Sequence, residues 1–84
     1  MLSISIKYFA SVREALGTSG ESLLTSAETV GALRDELIGR GGVFAQELAR
    51  GKSVRIALNH TMTEESAALS EACEVAFFPP VTGG

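Results

Sequence analysis

The chain is short of the residues that build most of the familiar chemistries. It has one cysteine, Cys73, among 84 residues, so it has neither an internal disulfide nor a cysteine-rich zinc site, and it must be held together by packing. A single histidine, His60, follows Asn59 in what reads as a turn, with no companions spaced as metal ligands. Lysine and arginine never cluster, and a formal charge of −3 argues against a phosphate-tracking surface for nucleic acid. The balance instead describes an acidic chain suited to a basic partner surface. No apolar run is long enough for a membrane span, and Leu2 to Tyr8 is too short and too interrupted by Ser and Lys for a signal peptide. No membrane association is expected, and a cytoplasmic location is the default. Charge is also missing at one end: from Val75 onward no side chain is charged, leaving the α-carboxylate of Gly84 as the only formal charge.

What is present is enough for one modest core. Apolar residues make up 45% and charged residues 20%, the balance of a folded single domain without room for a second catalytic one. Leu2, Ile4, Ile6 and Tyr8 alternate with polar residues, which predicts a first strand over 2–8. Ser11-x-x-Glu14 offers a capping box for a short helix or turn that Gly17 can close. Glu21 to Thr25 is a weaker strand. Thr29 is a candidate N-cap for a helix whose Val30, Leu33, Leu37 and Ile38 share one face, with Gly39 and Gly41-Gly42 as its stop. Phe44 and Leu48 predict a second helical turn; Val54, Ile56 and Leu58 predict another strand, and Val75 to Phe78 the last. The order predicts an α+β domain, a mixed sheet with helices packed on one face.

The end of the chain carries the most specific signal. Phe77-Phe78-Pro79-Pro80-Val81-Thr82-Gly83-Gly84 divides the chain into a domain over 1–78 and a flexible tail over 79–84. Pro79 and Pro80 fix φ and remove two donors, which favours an extended exit. Gly83 and Gly84 have no Cβ, so they enter slots closed to side chains. At roughly 3.3–3.6 Å per extended residue the carboxylate reaches about 20 Å from the domain.

This tail, with Phe9-Ala10-x-Val12-Arg13-Glu14-x-x-Gly17, Thr29-Val30-x-x-Leu33-Arg34 and Asn59, resembles the small subunits of molybdopterin synthase, a family of ubiquitin-like sulfur carriers. The resemblance spans nearly the whole chain. It implies a ubiquitin-like β-grasp fold with the first and last strands side by side at the sheet centre. It also implies that Gly84 is adenylated, converted to a thiocarboxylate, and gives its sulfur to a cyclic pterin precursor on the large subunit, with Gly83 serving tail threading. The partners so implied are that large subunit, in a heterotetramer of two small and two large subunits, and an E1-like adenylating enzyme that uses the ATP. The chain itself would bind no cofactor permanently and have no activity alone. Phe9, Arg13, Phe77, Phe78, Pro79, Pro80, Val81 and Thr82 are then the partner-binding candidates. The family's Asp-Gly-Asp-like turn before the last strand reads Glu71-Ala72-Cys73 here, which leaves that turn's type open. Two other uses of the same acyl chemistry stay in view: a carrier for thiamin, cysteine or tRNA thiolation, and a ubiquitin-like protein modifier.

Other residues invite weaker readings. Cys73 lacks a neighbour that would activate its thiol and reads as a small buried group. Glu64-Glu65 and Glu71/Glu74 read as a solvated acidic face. Gly39-Arg40-Gly41-Gly42 lacks the Lys-Ser/Thr ending of a phosphate loop and reads as a helix stop. Strand alternation puts Phe77 and Phe78 on opposite faces, which leaves two readings: one ring in the core and one toward a partner, or both rings covered by the small helices. Arg13, Arg34 and Arg55 could each pair with acidic partner groups.

Overall fold

The structure, a computed structural model, describes residues 1–79. Its elements are β1 (Leu2–Tyr8), α1 (Ala10–Leu16), β2 (Gly20–Thr25), α2 (Val30–Ile38), α3 (Gly42–Leu48), β3 (Arg55–Leu58), β4 (Thr61–Thr63) and β5 (Glu74–Phe78). The strands form one sheet in the order β2-β1-β5-β3-β4. β1 and β5 run parallel at its centre, and β2, β3 and β4 pair antiparallel to their neighbours. This is the ubiquitin-like β-grasp arrangement that the family resemblance implied.

The period-two pattern of β1 decides its orientation. Ile4, Ile6 and Tyr8 are buried, and they meet Val75 and Phe77 of β5, Val12 of α1, Val30, Leu33 and Leu37 of α2 and Leu48 of α3 in one core. The helices therefore cover one face of the sheet. Tyr8 stacks on Phe77 at 6.1 Å between centroids and meets Phe44 edge-on at 6.2 Å. Cys73 is buried in the same core as a free thiol, a packing residue.

Local signals account for most element ends. Thr29 Oγ1 accepts the Ala32 N–H as the N-cap of α2. Gly17 closes α1 at φ 75°, its N–H bonded to the Arg13 carbonyl. The expected Ser11–Glu14 capping box does not form, because α1 begins at Ala10 and its N-cap is Phe9, with no side-chain cap bond. That puts Ser11 inside the first turn. Gly39 is the C-cap of α2, and the two glycines after Arg40 open α3, Gly41 as its N-cap at φ 74° and Gly42 as its first residue at φ 56°.

Two further differences from the sequence reading concern the β3–β5 region. β4 is an additional strand, too short to show an alternation. It pairs with β3 through a two-residue turn in which Asn59 and His60 both have positive φ, 50° and 70°, the twist that a tight hairpin needs. The Asn59 side chain also accepts the Glu74 N–H at 2.9 Å, tying the hairpin to the start of β5. The Glu71-Ala72-Cys73 turn keeps a positive φ, 65°, at Ala72, with the Cys73 N–H bonded to the Ser70 carbonyl.

Candidate functional site

Because β1 and β5 are parallel, their C-terminal ends lie at the same end of the sheet. The ladder between them continues past Tyr8, with the Phe9 N–H donating to the Phe77 carbonyl at 3.1 Å. Phe9 is extended, at φ −124° and ψ 153°, and Ala10 then turns the chain into α1 with φ 51°. That turn costs a residue with a Cβ about 1–2 kcal/mol. Its result is that the Phe9 ring stays on the sheet side facing away from the helices.

Phe77 is fully buried, 0% exposed, because it alternates inward with Val75. It is therefore a core residue, correcting its place among the partner-binding candidates. Phe78 is half-buried, on the opposite face, where its ring lies parallel to that of Phe9 at 4.7 Å between centroids. Such a stack contributes about 0.5–1.5 kcal/mol beyond the area it buries. Phe9 remains 39% exposed, so the pair offers a rigid aromatic surface at the root of the tail. Arg13 follows one helical turn beyond Phe9, its N–H bonded to the Phe9 carbonyl. It is exposed and forms no ion pair among the described residues.

Pro79 is the last described residue. The candidates Pro80, Val81, Thr82, Gly83 and Gly84 lie outside the described residues.

The other arginine candidates separate cleanly. Arg34 is buried, not a surface contact: its Nε donates to the Leu48 carbonyl at 2.7 Å, Nη2 to Ala49 at 2.9 Å, and Nη1 to Glu65 Oε2 at 3.2 Å. It satisfies carbonyls at the end of α3, where the helix has no donors of its own left to give. Glu65, its side chain 39% exposed, is thus ion-paired at the surface, since Arg50 also binds it, together with Asp35 and the Gly31 carbonyl. The Arg50 guanidinium holds the Glu65 carboxyl below the usual carboxylate range. Arg55 stays exposed.

A second network braces the tail strand from inside. Arg40 grips Glu21 with two bonds of 2.9 Å, and Tyr8 donates its hydroxyl to the same carboxylate at 2.8 Å. The Arg40 bonds lower the Glu21 pKa, while burial and the Glu21 carboxylate raise that of Tyr8. Tyr8 in turn lies against Phe77. Sequence reasoning missed this brace because Glu21 and Arg40 lie 19 positions apart, and nothing local links them.

His60 is an exposed turn residue whose Nε2 lies 3.6 Å from Glu74 Oε2. Among the described residues no group of three His, Cys, Asp or Glu could hold a metal ion, and no helix is long and apolar enough to cross a membrane.

A model of the ThiS family matches residues 6–84. The molybdopterin synthase sulfur carrier subunit of Escherichia coli strain K12 is 40% identical over 81 residues, covering 96% of this chain and 99% of that one. The protein of the same description from Haemophilus influenzae is 36% identical over the same shares. Among solved structures, the putative molybdopterin converting factor subunit 1 of Pyrococcus furiosus is 28% identical with a TM-score of 0.78, covering 96% of this chain and 100% of that chain.

Proposed function

The chain belongs to the ThiS family, and on that premise we propose that it is the sulfur carrier subunit of a molybdopterin synthase. The observation that carries the reading is the exit of the chain: β5, locked between β1 and β3 at the centre of the sheet, runs directly into the Pro-Pro-Val-Thr-Gly-Gly sequence beside an exposed aromatic stack. A central strand cannot shift without breaking two ladders, so it gives the tail a fixed point of departure. The rigid root then lets the domain dock while the terminus reaches elsewhere.

In this reading the Gly84 carboxylate attacks the α-phosphorus of ATP on an adenylating enzyme, releasing pyrophosphate and leaving an acyl-adenylate. A sulfur donor then displaces AMP at the activated carbonyl, giving the thiocarboxylate. ATP is used on that enzyme and no cofactor stays on this chain. The loaded tail enters the large subunit, where its sulfur passes to the cyclic pterin precursor, and the carrier returns with a carboxylate. The carrier is a consumed and recharged cosubstrate within a cytoplasmic heterotetramer of two small and two large subunits. A carboxylate taken into a partner channel needs a compensating cation there, so the large subunit should present Lys or Arg at the channel's end.

The test is the intact mass of the chain after incubation with ATP, the adenylating enzyme and a sulfur donor, with a Gly84-deleted chain as control. Replacement of one oxygen by sulfur in the full-length chain alone, followed by conversion of the precursor when the large subunit is added, is the expected result. Sulfur gain without that conversion would assign the carrier to another pathway. A Gly-Gly remnant on target lysines with no sulfur gain would make it a modifier.

A further inference from the structure

One edge of the sheet is long and unguarded. β2 ends the strand order and pairs with β1 in unbroken register from Leu2–Thr25 to Lys7–Gly20, which leaves its other side open. An open strand edge is a template for pairing with another chain, and proteins blunt such edges with lysine, proline, a bulge or a very short strand. The opposite edge strand, β4, is blunted by its length of 3 residues. β2 reads Gly20-Glu21-Ser22-Leu23-Leu24-Thr25 and has none of these devices. Its one charged side chain does not guard it either, because Arg40 and Tyr8 hold the Glu21 carboxylate within the fold. Leu24, meanwhile, stands 60% exposed.

The hydrogen-bond pattern fixes which groups face outward. The Tyr8 N–H donates to the Ser19 carbonyl at 2.9 Å. Alternation along an antiparallel ladder then turns the backbone groups of Glu21, Leu23 and Thr25 toward β1 and those of Gly20, Ser22 and Leu24 away from it. The Gly20 groups are already taken, its N–H by Thr18 Oγ1 at 3.4 Å and its carbonyl by the Thr18 hydroxyl at 3.0 Å. Ser22 and Leu24 each keep an N–H and a C=O directed off the edge. We infer that this edge pairs with the same edge of a second copy of the chain, β2 against β2 in antiparallel sense and centred on Leu23. In that register Ser22 of each copy lies opposite Leu24 of the other, and the two exchange both of their N–H···O bonds. Leu23 meets Leu23, and Glu21 lies opposite Thr25, so no like charges face each other. A register centred on Ser22 would instead set Leu24 against Gly20, whose groups Thr18 holds. The flanking charges favour the same pairing. Thr25 donates its hydroxyl to Glu36, and Glu21 is gripped by Arg40, so Thr25 opposite Glu21 directs the exposed Glu36 of one copy toward the Arg40 of the other. The occupant follows from this self-complementarity, since bonds, side-chain sizes and charges all match under a single two-fold rotation. One strand pair is a small interface, so the association is weak and depends on concentration. The two five-stranded sheets join into one, and their β5 strands end pointing apart. Pairing of the edges goes beyond the carrier reading and does not depend on it.

The experiment is sedimentation equilibrium of the full chain over a concentration series at low and high salt, with amide hydrogen exchange followed residue by residue by NMR across the same series. Ser22→Pro removes an outward N–H without touching the ladder to β1. Leu24→Lys sets a charge on the edge, Glu36→Gln removes the flanking charge while keeping an acceptor for Thr25, and Met62→Lys, exposed on the opposite edge strand, is the control. Unfolding midpoints are measured alongside. The expected result is a monomer–dimer equilibrium in which the Ser22 and Leu24 amides slow as the dimer fills. Ser22→Pro and Leu24→Lys should weaken it at least tenfold. Glu36→Gln should weaken it severalfold at low salt and little at high salt, and the control should match the wild type. If Ser22→Pro fails to fold, Leu24→Lys and the two amides decide. A chain that stays monomeric throughout the series would overturn the inference. So would a dimer that survives both edge variants with the Ser22 and Leu24 amides unprotected, which would place the contact elsewhere. Protection of those amides only when the large subunit is added would give the edge to that protein and overturn the choice of a second copy.

Discussion

Phe77 and Phe78 are neighbours in sequence with opposite fates, and their truncation should show it. Phe77 is buried between Tyr8 and the helices, so Phe77→Ala should cost about 3–5 kcal/mol, a large part of the roughly 5–15 kcal/mol that holds a small domain together. Phe78→Ala removes mainly the stack on Phe9, about 0.5–1.5 kcal/mol. Thermal unfolding followed by circular dichroism should find the first variant largely unfolded or melting far earlier, and the second lower by several degrees. Arg34 makes a similar point. Lysine is a point charge and cannot reproduce a planar fork that reaches the carbonyls of Leu48, Ala49 and Lys52 and the Glu65 carboxylate, so Arg34→Lys should lose about 2 kcal/mol in urea unfolding. The sequence places Arg34 on α2, but the carbonyls it serves belong to the end of α3 and the loop after it, which carry no readable signal.

At the scale of elements, the strained turns are where improvement is available. His60 and Ala72 hold positive φ with a Cβ in place, and both are exposed, so His60→Gly and Ala72→Gly should each raise stability by about 0.5–1 kcal/mol, read as a higher urea midpoint. The type of the Glu71-Ala72-Cys73 turn was open in the sequence because alanine says nothing of left-handed geometry. The fold imposes it through the Ala72 N–H bond to Ser3 and the Cys73 carbonyl bond to Ser5. The Tyr8–Glu21–Arg40 brace, which joins β1, β2 and the α2–α3 junction, predicts pH dependence on both sides of neutrality. Glu21 is lowered in the folded state by Arg40, so its contribution is present above the ordinary Glu value of about 4.3 and is lost as pH falls through the folded value. Tyr8 is raised by burial and by Glu21, so its contribution is present below about pH 10 and is lost as pH rises further. Urea unfolding across pH should show Glu21→Gln flattening the acid limb and Tyr8→Phe flattening the alkaline one.

For the whole molecule, folding and chemistry are assigned to different parts of the chain. Among the described residues every member of the buried core lies from Ile4 to Phe77, whereas the reactive group proposed here is Gly84. Removing Gly83 and Gly84 should therefore leave the thermal midpoint unchanged while abolishing sulfur loading; a shifted midpoint would mean that the terminus contributes to the fold. The same division explains why the alternation within β1 and β5 was legible while their adjacency was not. Parallel pairing of the first and last strands joins residues such as Ile6 and Val75 through contacts that no local pattern encodes, and it entered the sequence reading only through family resemblance.

The sequence by itself determined what depends on neighbours along the chain. Strand period, the Thr29 cap, the Gly17 stop and the uncharged Pro-Pro-Val-Thr-Gly-Gly end follow from side-chain spacing, φ preference and charge within a few residues. Only the tertiary structure decided that Phe77 turns inward and Phe78 outward, that Arg34 is buried and bound to Glu65, and that Thr61–Thr63 forms an edge strand. These depend on which strands pair and in what register, and pairing is set by burying one common core, a property of the whole chain at once.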